Sequence, residues 1–240
     1  MAHINKIIIG IQARSGSTRF PKKVFQEIDG KPVLQHVIDN CQKSARYMNK
    51  YSSKTGMFID VVVLCPFGDE IAQKFKKKVT IIEGPENEVL DRYKLMSEKF
   101  KPDFIVRVTS DCVLLPPFLI TKHIKTAIMN KYDYVSNVDP RFRTSPDGYD
   151  CEVISRELLD WAYDNAVSAF DREHVTTILR SNPPPWAKIG VIVNYFDFSD
   201  LKISLDTPED LKEITRLYFE IKDKTAKAVE LYGEGSVHRT

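Results

Sequence analysis

Arg14, Ser15, Gly16, Ser17, Thr18, Arg19, Lys22 and Lys23 fall in one short stretch of a 240-residue chain, and their types are those that bind phosphate. Arginine offers a planar fork of donors that fits phosphate oxygens, and lysine a mobile point charge. Serine and threonine add hydroxyl donors. Gly16 lets the backbone come close to a ligand. Four cations within ten residues call for an oligo-anion. The same composition suits an exposed basic loop, but this one directly follows Ile7, Ile8, Ile9 and Ile11, a β-branched run that reads as a buried strand. In an open α/β sheet, phosphates are bound where such a strand leaves the sheet. The stretch is not a Walker loop, because GxxxxGK[ST] is absent, and it contains no GxGxxG. P-loop kinases and Rossmann dehydrogenases are disfavoured on that ground.

Two aspartates stand where they could meet the same ligand. FIVRVTS runs into Asp111 and LKISL into Asp206, so each follows a strand-like run. Thr207-Pro208-Glu209-Asp210 then reads as an N-cap, a first-turn proline and an acidic residue completing a capping box. If both runs are strands of a parallel sheet, both carboxylates emerge at the edge that carries the cationic loop. Magnesium suits that arrangement, since it prefers hard oxygens and is usually held by one or two carboxylates plus substrate phosphates. Either aspartate alone would serve equally well as a turn or cap residue. The loop beside them favours the metal reading.

Other chemistries find little support. Cys41, Cys65, Cys112 and Cys151 are far apart with no CxxC pair, and the five histidines lack ligand spacing, which argues against zinc and for cysteines acting as small buried hydrophobes. No nucleophile motif places a Ser, Cys or His. A net charge of +2 gives no reason to expect a nucleic-acid or membrane partner, and Lys76 to Lys78 reads as a solvated helix end. No leader pattern and no bilayer-length apolar run are present, so a cytoplasmic location is expected.

The elements that must position these groups alternate strand and helix. Strands are expected at 6–12, 59–65, 79–82, 104–109, 133–136, 151–154, 188–193 and 201–205. Helical spacing links Val33, Leu34, Val37, Ile38 and Cys41, and again Val89, Leu90, Tyr93, Met96 and Phe100. This βαβ order predicts an α/β fold with a mostly parallel sheet and helices on its faces. From about residue 133 turn signals such as Asp139-Pro140 and Ser145-Pro146-Asp147-Gly148 multiply. Residues 1–240 are read as one domain, with 133–200 an elaboration that shapes an acceptor pocket.

QARSGSTRFPKKVFQEIDGKPVLQHVI, RVTSDC, YVSN, DGYDCEV, REHVT and DTPEDL, in that order, resemble the cytidylyltransferases of the spore-coat-polysaccharide type, related to the synthetases that activate Kdo and acylneuraminates with CMP. The resemblance spans roughly residues 6–215. It implies a doubly wound, nucleotide-diphospho-sugar-transferase-like fold, CTP as substrate, Mg2+ as cofactor, a small sugar-like acceptor and a homodimer. It assigns nucleotide binding to Gln12, Ala13, Arg14, Ser15, Gly16, Ser17, Thr18, Arg19, Lys23, Arg107 and Ser110. It assigns catalysis to Arg14, Lys23, Asp111 and Asp206, with the metal on the two aspartates, and the acceptor to Asn137, Asp147, Asp150, Glu152, Arg172 and His174. Relatives usually read LPGK where this chain has Phe20-Pro21-Lys22-Lys23, which leaves open which lysine touches phosphate. The implied reaction transfers CMP from CTP to an acidic sugar. Transfer to a sugar phosphate or phosphorylated polyol, a metal-dependent glycosyltransferase, and a non-catalytic nucleotide-binding protein are the alternatives.

Overall fold

A computed structural model describes residues 4–51 and 56–232. In chain order the elements are β1 (Lys6–Gln12), the 3-10 turn η1 (Lys23–Phe25), β2 (Glu27–Ile28), β3 (Lys31–Pro32), α1 (Val33–Tyr51), β4 (Phe58–Pro66), α2 (Glu70–Phe75), β5 (Thr80–Gly84) and α3 (Val89–Phe100). They continue with β6 (Phe104–Thr109), α4 (Pro117–Asn130), β7 (Tyr134–Ser136), β8 (Glu152–Ser155), α5 (Arg156–Asn165), α6 (Ala169–His174), α7 (Thr177–Ser181), β9 (Ile189–Val191) and α8 (Pro208–Tyr232).

Seven strands form one sheet in the order β5-β4-β1-β6-β8-β7-β9, and β2 and β3 make a small separate hairpin. β5, β4, β1 and β6 are parallel, whereas β8 runs antiparallel to both its neighbours. The chain winds outward from β1 to β4 and β5, then returns to add β6 on the other side of β1. The order therefore reverses between β1 and β6, the place where open α/β sheets bind ligands.

Strand alternation sorts the core onto two faces. Ile7, Ile9 and Ile11 pack with Leu34, Val37 and Ile38 of α1, Ile71 and Phe75 of α2, and Ile120 and Ile124 of α4. Ile8 packs on the opposite face with Leu90, Tyr93 and Met96 of α3, Leu158 and Leu159 of α5 and Leu179 of α7. Gly10 interrupts the isoleucine run for a packing reason: a Cβ there would lie 2.9 Å from the Tyr93 ring. The Tyr93 hydroxyl instead donates to the Gly10 carbonyl at 3.0 Å. All four cysteines are buried and unbridged.

Seven of the eight expected strands are present, most within one or two residues of their expected bounds. The expected strand at 201–205 is not a strand. Among the described residues its only ladder contact is an isolated bridge from Lys202 to Asp147. It hangs instead on loops: Asp147 N–H donates to Leu201 O at 2.9 Å, Ile203 N–H to Asp147 O at 2.7 Å, and Leu205 N–H to Asp111 O at 3.1 Å. Partners on two different loops cannot propagate a ladder, so the apolar run ends as an extended strap. Its last residue, Leu205, is fully buried against Ile28, Val33, Val113 and Ile214. The start of α8 is locked as expected, Thr207 N–H donating to Asp210 Oδ2 at 2.8 Å and Asp210 N–H to Thr207 Oγ1 at 3.2 Å.

Gly148 clamps this strap. Its φ is +112°, and a Cβ would fall 2.6 Å from both Ile203 C and Ser204 N, backbone atoms that cannot step aside. Gly148→Ala should cost about 2 kcal/mol in urea unfolding, through backbone strain added to the clash. A loss under about 0.5 kcal/mol would show the strap to be free to shift.

Candidate active site

A polar cleft of about 350 Å³ opens at the carboxyl edge between β1 and β6. Gln12 and Ala13 enter it from the end of β1, and Arg107, Thr109, Ser110, Asp111 and Cys112 from β6 and the turn after it. Arg14, Ser17, Thr18, Arg19 and Lys23 of the cationic loop line one side. Asp147, Asp150, His174, Ser204 and Asp206 complete the lining, with Asp206 in direct contact with Arg19 and Lys23 of the loop. Residues from both halves of the chain thus converge on the reversal point of the sheet.

The loop is tethered at its base. Ser15 N–H donates to Asp69 Oδ2 at 2.8 Å, while the other oxygen of Asp69 caps α2 by accepting from Ile71 N–H at 2.9 Å. Ser17 N–H and Lys22 N–H both reach the Ser15 carbonyl at 3.0 Å. Ser15 and Gly16 therefore shape the loop without lining the cleft, and Gly16 looks toward Glu86. Lys22 adopts a left-handed backbone, φ 58°. For a residue with a Cβ that shape costs about 1 kcal/mol. It sends Lys22 outward to Glu70 at 2.7 Å and aims Lys23 inward.

Lys23 Nζ lies 3.1 Å from Asp206 and 3.6 Å from Asp111, and donates to the Leu205 carbonyl at 2.5 Å. Arg19 adds a 2.9 Å contact to Asp206, and Lys202 approaches it at 3.7 Å. Thr109 Oγ1 hydrogen-bonds Asp111. Two carboxylates around one ammonium form a hard-oxygen nest that already accommodates a cation, and both stay partly open to solvent. Among the described residues no three His, Cys, Asp or Glu groups cluster as a closed metal cage. The donor set fits an ion completed by water and substrate oxygens, as magnesium is.

Arg92 borders the cleft and has no counterpart among the residues expected from sequence. It is 2% exposed and its guanidinium bonds carbonyls, those of Ala13 (3.4 Å), Leu64 (3.3 Å) and Glu86 (3.4 Å). Burial pulls its pKa down. A buried cation bonded to neutral carbonyls leaves net positive potential under the loop. The one sequence signal was an arginine embedded in the apolar stripe Val89, Leu90, Tyr93, Met96.

Of the six residues expected on the acceptor side, Asp147, Asp150 and His174 line the cleft, whereas Asn137, Glu152 and Arg172 do not. Asn137 is buried, donating to Tyr149 O at 2.8 Å and accepting from Cys151 N–H at 3.0 Å, so it braces the chain on either side of Asp150. Arg172 pairs with Asp91 and stacks 4.9 Å from the Tyr163 ring centroid, tying α6 to α3. Glu152 is 1% exposed and faces Arg107 at 3.4 Å and Arg180 at 3.1 Å. Asp150 is pushed up to about 6, chiefly by burial, with the Arg143 guanidinium at 2.6 Å opposing the shift and Asp147, Glu152 and Asp111 adding to it.

A family model described as cytidylyltransferase matches residues 7–234. The spore coat polysaccharide biosynthesis protein SpsF of Bacillus subtilis is 28% identical over 219 residues, covering 90% of this chain and 87% of that protein. A 3-deoxy-manno-octulosonate cytidylyltransferase of Geobacter metallireducens is 27% identical over 151 residues, 62% of this chain and 55% of the relative. Among solved structures, a cytidylyltransferase from Leptospira borgpetersenii serovar Hardjo-bovis superposes with a TM-score of 0.77 at 23% identity, over 99% of this chain and all of that one.

Proposed function

Because the chain belongs to the cytidylyltransferase family and is a nucleotidyltransferase, we propose that it transfers CMP from CTP to an acidic, nonulosonate-like sugar, releasing pyrophosphate, in the making of a surface polysaccharide or glycoconjugate. One observation carries this reading: the cationic loop and the Asp111–Asp206 pair line a single cleft, with Lys23 of the loop in contact with both carboxylates. The similarity to SpsF and to a 3-deoxy-manno-octulosonate cytidylyltransferase supports the acceptor class. Homodimer assembly and a cytoplasmic location belong to the same proposal. Among the described residues no helix is long and apolar enough to cross a membrane.

In the proposed reaction a hydroxyl oxygen of the sugar attacks the α-phosphorus of CTP, the bond to the bridging oxygen of the β-phosphate breaks, and the hydroxyl proton passes to a base. Arg14, Arg19 and Lys23 meet the charge that builds on the phosphoryl and leaving oxygens. Asp111 and Asp206 would hold Mg2+, which supplies Lewis-acid polarisation of the phosphates when bound. Arg92 keeps the base of the loop in place and adds fixed positive potential. Asp150, on the acceptor side and titrating near 6, is poised to take the proton. Only its ionised form can do so, which sets the sign of the pH dependence. Below about pH 6, kcat/KM should fall tenfold per pH unit, and Asp150→Asn should remove that limb along with most of the rate. An unchanged acid limb in the variant would assign the base elsewhere.

The function is tested by calorimetric titration with CTP, UTP, ATP and GTP, each with and without Mg2+, followed by pyrophosphate release with 3-deoxy-manno-octulosonate and N-acetylneuraminate. Selective Mg2+-dependent CTP binding and release with an acidic sugar are expected. Release only with a phosphorylated polyol such as glycerol 3-phosphate would replace the acceptor class. Absence of CTP binding would overturn the reading.

A further inference from the structure

Val175 has φ 64° and ψ −54°, with its N–H bonded to Asp171 O at 2.8 Å and the next N–H, of Thr176, closing back on His174 O at 2.6 Å. That is a tight three-residue turn of the rare, strained hand, built on a β-branched residue for which positive φ is a steric outlier. Such a conformation persists only where the surroundings over-determine it. Here they are on view. The Val175 side chain is fully buried in the core, and the fully buried Thr176 hydroxyl donates to Glu152 Oε1 at 3.2 Å while accepting from Arg180 at 2.8 Å. The other oxygen of the same carboxylate takes Arg107 Nη1 at 3.4 Å.

One buried carboxylate therefore grips two parts of the cleft lining: Arg107 and, through Thr176, one residue beyond the strained Val175, the turn that carries His174. We infer that Glu152 is a positioning residue, acting through Arg107 and through the His174–Thr176 turn rather than touching substrate. It holds the nucleotide side and the acceptor side of the cleft at a fixed separation, so that spacing rather than a direct contact selects the acceptor. This deepens the proposed function, and only its kinetic arm rests on that reading.

Thr176→Val tests it first, deleting the hydroxyl while keeping the branched shape. Crystals of this variant should show residue 175 relaxed to negative φ and His174 withdrawn from the cleft. Calorimetric CTP affinity should stay within twofold, while the KM of the acidic sugar that wild type turns over, 3-deoxy-manno-octulosonate or N-acetylneuraminate, should rise about tenfold. Adding Val175→Gly should recover most of that KM, because glycine keeps positive φ without strain. Were the turn only a packing element, the glycine would remove a buried side chain and make the double variant worse than either single one. Glu152→Gln, where it folds, should weaken CTP binding about tenfold through Arg107, an effect Thr176→Val lacks. Retention of positive φ at Val175 in the Thr176→Val crystals would overturn the inference. If wild type releases no pyrophosphate with either sugar, the proposed function fails, and the crystallographic result still decides the positioning role.

Discussion

Asp111→Asn is expected to lower pyrophosphate release by on the order of a thousandfold with the fold unaltered. The substitution keeps size and shape, and an amide oxygen can still accept from Thr109 Oγ1. The backbone link that anchors the strap, Leu205 N–H to Asp111 O at 3.1 Å, does not involve the side chain at all. What is lost is one of the two negative charges around Lys23, and with it half of the protein's share of the proposed Mg2+ site. A thermal melt within a few degrees of wild type beside collapsed turnover is the diagnostic pair. Turnover near the wild-type rate would remove Asp111 from the metal site.

Lys23→Ala should move two observables in opposite directions. Turnover is expected to fall on the order of a hundredfold or more, through loss of a cation facing the leaving phosphates. Binding of Mg2+ in the absence of nucleotide should tighten, because the ammonium occupies the space between Asp111 and Asp206 and competes with the ion. Two unit charges about 4 Å apart interact by about 4 kcal/mol near a protein surface. About a third of that, ~1.4 kcal/mol, already amounts to tenfold in affinity. Metal titration of the nucleotide-free protein by calorimetry measures this directly. Weaker metal binding in the variant would mean that Lys23 organises the carboxylates rather than screening them.

What was legible in the sequence was local. The isoleucine run, the cationic loop after it and the Thr207–Asp210 box each depend on neighbours within a few positions, and each forms as read. The seven sheet strands were legible for the same reason, their apolar runs being continuous. Asp206 was correctly placed beside the loop but on the wrong support, because a strap held by Asp147 and Asp111 looks in sequence like any strand. The different directions of Lys22 and Lys23 show only through backbone shape, since the left-handed residue faces one lysine outward. Arg92 escaped notice because its partners are carbonyls more than twenty residues away or from the loop before its own helix, which no spacing rule reports. Asn137, Glu152 and Arg172 match the motif order, yet face inward to brace the scaffold.

The strap also ties the acidic pair to the packing of α8. Asp111 and Asp206 lie on opposite sides of the chain's midpoint, and Asp206 reaches the cleft only when Leu205 and Ile214 have sealed against Val33 and Val113. A chain cut between Asp147 and Asp206 keeps the sequence of the first four parallel strands and the cationic loop but loses half of the acidic pair. The acidic pair is therefore held together by the packing of Ile214 of α8 against Leu205, beside the strap that carries Asp206.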